Sequence, residues 1–520
     1  MATYLMAIDA GTGSVRAVIF DDMGRQVGCG QREWSHHEDT RYPGSMNFDW
    51  TANWKLVCAC INEALVKTGV SPEAIAAIST TCMREGIVLY DAAGNEIWAC
   101  ANVDSRSGDE VGELKCISPE LEKELYLESG QTFALSALPR LLWVKNKEPE
   151  IYKKTARIGM FNDWLIYRLS GVLAVEPSNG STTGIFNLKT RVWDKSIARR
   201  CGLRDDIFPD VVECGVPVAK VSQNAAAETG LAEGTPLVVG GGDSQLATIG
   251  VGVVDINEAA IFGGSFWQYE FNTGSGKPSP KCDIRVNCHA LPSLWQYEAL
   301  AFNPGLVMRW YRDGFCQEEK RLAKVNGSDP YAIMDREAAK IPAGSYGMIC
   351  AFSDVMNYIA WRHAAPTFSN FELNPEKFNK FSFYRAIMEN TALVTLGHIN
   401  LVQQAIGEKP SVVVFAGGAA KSGLWPQILA DVLGISVRIP EVKEASALGA
   451  ALIAGIGVGI YRDIKETARK LVKIEREILP NAENHKVYVQ AYKSWQSAYT
   501  AYLQLSDERV TKYMWSAPGL

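Results

Sequence analysis

The chain makes the same move twice. "YLMAIDAGTGSVRAVIFDD", Tyr4 to Asp22, is an apolar run ending on a carboxylate, then a turn of small residues, then a second apolar run. "EAAIFGGSFWQYEFN", Glu258 to Asn272, repeats that order, and aligning the two sets Gly13-Ser14 over Gly264-Ser265. Each segment reads as two strands joined by a tight glycine turn. The fold must therefore contain two related halves, each opening on a strand–turn–strand loop. The length of 520 residues agrees, since it exceeds what one hydrophobic core supports. The boundary is expected near Val253–Glu258, giving domains 1–254 and 255–520.

Strand-like and helix-like segments alternate along both halves, the pattern of an α/β protein. "TANWKLVCACINEALVKTGV" has helical spacing with Thr51 as its cap, and "AIAAISTTC" reads as a buried strand. Glu110 to Arg168 is mostly helical in pattern. "PLVVGGGDSQLATIGVG", from Pro236, and "SVVVFAGGAAKSGLWPQILADVLG", from Ser411, each read as strand, glycine-rich turn and helix.

Composition narrows the function classes. Lys+Arg 52 against Asp+Glu 58 gives a net charge of -6, which argues against a nucleic-acid footprint. The 12 cysteines are scattered without metal spacing and read as reduced thiols. No basic segment precedes the first apolar run, so a signal peptide is not expected. The uncharged run "ASALGAALIAGIGVGIY" is glycine-rich and shorter than the roughly 20 residues a membrane helix needs, so it reads as a buried core helix. A cytoplasmic location follows.

Glycine-rich turns recur at Asp9–Ser14, at Gly240–Asp243 with Gly263–Ser265, and at Gly417–Ser422. Glycine there lets backbone amides approach an anion closely. The common nucleotide motifs fit poorly. Arg16 stands where a dinucleotide fingerprint needs its third glycine, and Ala420 precedes Lys421 where a P-loop demands glycine. Two half-molecules gripping phosphates between hairpin turns fit better. Asp243 ends a strand and suits either a general base or a helix cap.

"DAGTGSVRAVIFD", "GGGDSQ", "FGGSFWQ", "FAGGAAKSGLWPQILADV" and "EVKEASALGAALIAG" resemble, in order and spacing, the motifs of the FGGY carbohydrate kinases. The likeness runs the length of the chain. It implies two actin-like (ribonuclease H-like) α/β ATPase domains with a catalytic cleft between them, using ATP and Mg²⁺. By that resemblance Asp243 is the catalytic base, and Asp9 with Asp243 organises the metal. Thr12, Gly13, Ser14 and Arg16 hold phosphates from one half. Gly263, Gly264 and Ser265 hold them from the other, with Ser265 in a turn that carries threonine in glycerol kinase. Gly417, Gly418 and Ala419 form the adenosine turn, and Asp354 replaces a family glycine on the nucleotide side. Arg84 and Glu85 in "CMREG" match a substrate-binding pair. Asn102, Asp104, Ser244, Phe266 and Trp267 are further substrate-side candidates.

"MREGIVLYDAAGNEIWACANVDSR", "AFSD" and the final "WSAPGL" set the chain apart from glycerol kinase and xylulokinase. The branch of the family that these segments resemble implies, as the acceptor, the linear, hydrated form of 4,5-dihydroxy-2,3-pentanedione, a quorum-sensing signal, phosphorylated on its terminal hydroxyl. The alternatives are a pentulose or glycerol kinase, and a non-catalytic ATP-binding sensor. A regulatory phosphotransferase-system protein such as HPr is the implied partner.

Overall fold

A computed structural model describes residues 3–519, so Leu520, the last residue of "WSAPGL", lies outside the described residues. The first half is built on a sheet of β1 (Tyr4–Ala10), β2 (Ser14–Asp21), β3 (Gln26–Glu33), β4 (Ile75–Cys82), β5 (Pro217–Lys220) and β6 (Pro236–Gly242), in the order β5-β6-β4-β1-β2-β3. β7 (Ala259–Gly263), β8 (Trp267–Thr273), β9 (Arg285–Cys288), β10 (Trp295–Ala301), β11 (Val412–Ala416), β12 (Ser436–Pro440) and β13 (Ile474–Ile478) form the second, in the order β9-β10-β8-β7-β11-β12-β13. β1 pairs antiparallel with β2 and parallel with β4. β7 pairs antiparallel with β8 and parallel with β11. The echo in the sequence is thus an echo in topology.

β1 is apolar from Leu5 to Ile8 because both of its faces are covered, as central strands in α/β sheets require. Met6 and Ile8 pack in one cluster with helix α1 (Trp50–Thr68). Leu5 and Ala7, pointing the other way, pack with residues of a helix from the far end of the chain. α1 is capped by Asp49, not by Thr51. The Asp49 side chain accepts from the amides of Thr51 at 3.1 Å and Ala52 at 2.9 Å, which satisfies donors a helix start leaves open.

The linear boundary at 254/255 does not describe the tertiary division. β6 runs into α2 (Asp243–Gly250). The second sheet carries α3 (Lys380–Ile406) and α4 (Trp425–Leu433). α5 (Ala445–Gly457), the apolar glycine-rich run, then crosses back to pack on β1, β4, β6 and α2. Small residues make that crossing close. A Cβ on Gly449 would stand 1.9 Å from the Leu246 carbonyl oxygen, and one on Gly250 1.9 Å from that of Ala445. α6 (Ala482–Asp507) closes the outer side of the second half against α4. Among the described residues no helix is long and apolar enough to cross a membrane.

Candidate active site

The first phosphate turn is held from behind. Trp34 Nε1 donates to the Gly11 carbonyl at 3.0 Å, and the Trp34 amide to that of Gly13 at 3.2 Å. His36 Nε2 lies 2.7 Å from the Thr12 carbonyl and so donates to it. In a trans peptide the N–H points opposite to the C=O. Carbonyls tied to the protein side therefore turn the amides of Thr12, Gly13 and Ser14 the other way. Gly13 is exposed, with nothing within 4 Å of where a Cβ would be. The Thr12 hydroxyl is not free: Asn102 Nδ2 donates to it at 3.0 Å.

The second and third turns touch each other. Gly264, Ser265 and Phe266 are exposed. Gly417 has φ +96°, and its Cβ would lie 2.6 Å from the Gly263 carbonyl oxygen, so no side chain fits there. Gly418 opens a short 3₁₀ turn to Lys421, and Ser422 Oγ anchors it by donating to Asp335 at 2.7 Å. Beside Gly417, Ala420 and Lys421 a cavity of about 1100 Å³ runs between the halves, with Arg25, Lys443, Lys470, Lys473 and Arg476 in its wall. Glu441, Glu444 and Glu475 share the wall, so the basic residues outnumber the acidic ones, a balance that suits an anion.

Asp9 and Arg16 are cross-strand partners in the β1–β2 hairpin. Arg16 also pairs with Glu444, just before α5, so its guanidinium braces the hairpin against that helix. Burial pushes the Asp9 carboxyl up to about 7. Arg16 opposes the shift, and Asp243 and Glu444 add to it. Negative charge around a buried carboxyl is what a divalent cation would relieve.

Asp243 is the first residue of α2 and does not cap it; Gly242 does. Its Oδ1 accepts from the Ser244 amide at 2.8 Å and stands 3.3 Å from Arg84 Nε. With 35% of its side chain exposed, the carboxylate remains reachable by a small molecule. Burial raises its proton affinity, Arg84 lowers it and Glu85 raises it again. Glu85 holds φ +64°, a strained value for a residue with a side chain. Arg140 stabilises that bend by donating to the Glu85 carbonyl at 2.6 Å and to the Asn102 carbonyl at 2.6 Å. One buried arginine thus ties Glu85 to Asn102, the residue that supports the Thr12 turn.

Arg84 reaches across to the other half. Its Nη2 donates to Glu298 Oε1 at 3.0 Å, and its Nη1 to the second oxygen. Arg285 pairs with Glu85 and with Glu298 at 3.2 Å, and its Nε donates to Gln131 at 2.9 Å. Glu270 faces Glu298 in the β8–β10 register. Burial and the Glu298 charge hold Glu270 well above the carboxylate range, while two arginines keep Glu298 ionised. Sequence reasoning missed Arg140, Arg285, Glu270 and Glu298. The signal was present: "WQYE" occurs at Trp267 and again at Trp295, with polar residues at every second place in strands that should be core.

Three assigned residues are corrected. Trp267 does not wall a pocket. It is fully buried, stacks on Trp425 at 5.0 Å and donates to Thr395 at 3.0 Å; alternation along β8 turns it inward beside exposed Phe266. Asp104 does not face substrate. Its buried carboxylate accepts from the Met46 amide at 2.6 Å and from the Arg106 guanidinium at 2.6 Å. Ser244 is 3% exposed, with its hydroxyl 3.5 Å from Gln268 of the second sheet. The structure pairs Asp9 with Arg16 across the hairpin and sets Arg84 against Asp243.

Family models account for most of the chain. Residues 4–250 match the N-terminal domain, and 277–458 the C-terminal domain, of the FGGY family of carbohydrate kinases. The chain is 50% identical over 518 residues to a protein of Yersinia enterocolitica named autoinducer-2 kinase, covering 99% of this chain and 98% of that one. A Salmonella typhimurium protein of the same name is 48% identical at the same coverage. Among solved structures, the ligand-bound xylulose kinase from Lactobacillus acidophilus superposes with a TM-score of 0.86 at 19% identity, covering 98% of this chain and 100% of that one. The xylulose kinase from Rhodospirillum rubrum gives 0.83 at 22% identity, covering 96% and 98%. With its paired hairpin turns, its interdomain cleft and family matches in both halves, the chain belongs to the FGGY family of carbohydrate kinases.

Proposed function

We propose that the chain transfers the γ-phosphoryl group of ATP to autoinducer-2, taken as the linear, hydrated form of 4,5-dihydroxy-2,3-pentanedione, on its terminal hydroxyl. The observation that carries this reading is the likeness, near half of all positions over almost the full length, to proteins named autoinducer-2 kinase.

Phosphoryl transfer is mostly a matter of position and charge. Asp243 accepts the hydroxyl proton, a role that its raised proton affinity and open carboxylate support. Arg84 and Glu85 orient the acceptor's oxygens while Glu298 and Arg285 hold that pair still. The amides of Thr12, Gly13 and Ser14 face the phosphates from one side and the turn of Gly264 and Ser265 from the other. Gly417, Gly418 and Ala419 border the adenosine. Asp9 and Asp243 would hold Mg²⁺, chiefly through water, and the ion would neutralise phosphate charge.

The product carries nearly two negative charges and does not cross a bilayer unaided, so phosphorylation in the cytosol traps the signal. A phosphotransferase-system carrier such as HPr is the regulator this reading includes, supported by the family likeness alone. The test is ADP release with ATP and a panel of acceptors: the dione, xylulose, glycerol and none. Turnover is expected with the dione. Strong turnover of xylulose or glycerol with none of the dione would refute the substrate.

A further inference from the structure

Behind the second sheet a cavity of about 480 Å³ opens between α3 and α6. It lies apart from the cleft. Thr395 of α3 bonds Trp267 of the sheet, whereas Gly397, two residues on and so roughly 200° around the helix, lines the cavity. Its volume is that of a small-molecule site.

Asp354, expected on the nucleotide side, instead lines this cavity. Its Oδ1 accepts from the Val355 amide at 2.7 Å, and among the described residues no cation pairs with it. Arg362, the arginine whose charge it feels, is committed to Asp507 by two bonds of 2.7 Å. No basic residue lines the cavity. Burial pushes the Asp354 carboxyl up to about 7. A half-buried carboxylate lining a cavity without a counter-charge is unfavourable, and a cationic ligand would relieve it.

The walls suit such a ligand. Tyr492, Trp495 and Tyr499 succeed one another along α6, with ring centroids 6.0 Å and 5.5 Å apart. The Trp495 indole N–H is engaged, and each tyrosine oxygen accepts one bond. Trp495 Nε1 donates to the Cys350 carbonyl at 3.1 Å, the Ala364 amide donates to Tyr499 at 2.9 Å, and Gln496 donates to Tyr492 at 3.0 Å. The three rings give the cavity an aromatic wall against which a carbon chain packs. A zwitterion is disfavoured, because its carboxylate would meet no positive group.

We propose that this cavity binds an aliphatic amine, with its ammonium group on Asp354 and its carbon chain along Tyr492, Trp495 and Tyr499.

Calorimetry of the full-length protein with putrescine tests this. Saturable binding is expected, with a Kd near or below about 1 mM. The uncharged analogue 1,4-butanediol should not bind. Asp354→Asn should weaken putrescine by about tenfold or more, judged on protein whose melting curve shows it folded. Thr500→Trp, a change on the exposed side of α6 that fills the cavity and leaves Asp354 in place, should abolish binding and decides the matter if Asp354→Asn misfolds. A saturating non-hydrolysable ATP analogue should leave putrescine binding unchanged. Equal binding of butanediol, unchanged binding in either folded variant, competition by the nucleotide, or no saturable heat up to about 10 mM putrescine would each overturn the proposal.

Discussion

Arg84 and Glu298, 214 residues apart in sequence, meet across the two halves through paired hydrogen bonds, one of them 3.0 Å long. Arg84 is 5% exposed and also reaches Asp243, while the Glu298 side chain is fully buried. Arg84 is therefore positioned by the opposite half.

Removing one member of a buried ion pair leaves the other uncompensated. Glu298→Gln is expected to lower stability by about 3–5 kcal/mol, because Arg84 and Arg285 both lose their shared carboxylate. Denaturant unfolding checks this. Substrate KM should rise in the same variant, and a KM within twofold of the parent would show that Arg84 does not depend on the pair.

Asp243→Asn should reduce phosphoryl transfer by about 10²–10⁴-fold while ATP binding persists, since the amide keeps its place at the start of α2 but accepts no proton. Single-turnover kinetics with a separate nucleotide titration distinguish the two effects.

Asp9 ties metal use to pH. Its folded-state pKa of about 7 lies above its unfolded value, so it is mostly protonated at pH 6 and mostly ionised at pH 8. The apparent Mg²⁺ requirement should rise by about tenfold between pH 8 and pH 6. Stability runs the opposite way. A raised carboxylate pKa means the native state gains stability as pH falls from 7 toward 4. Asp9→Asn should therefore melt higher than the parent at neutral pH while losing transfer; a lower melting temperature would contradict the burial argument.

Phe266 and Trp267 are neighbours with opposite fates. Trp267→Ala should destabilise the second domain by about 3–5 kcal/mol. Phe266→Ala, at an exposed position, should stay within about 0.5 kcal/mol of the parent and register only in kinetics.

What the sequence alone determined was local and periodic. The two hairpins, the glycine turns and the strand-end aspartates could be read because strands alternate, turns demand small residues, and a carboxylate ending an apolar run has few structural uses. Asp9, Asp243 and the Arg84–Glu85 pair came from those signals together with the family likeness. What only the tertiary structure decided were relationships over long separations. α5 belongs to the first sheet because Gly449 and Gly250 let two helix backbones approach, a condition that no single window of sequence contains. Glu298 reaches Arg84 because the two halves meet, and Glu444 reaches Arg16 because α5 returns to the first sheet. Trp267 and Asp104 looked like pocket residues because side-chain type does not tell a core stack from a pocket wall, or a buried brace from a ligand contact; the partners each side chain meets decide that, and folding supplies those partners.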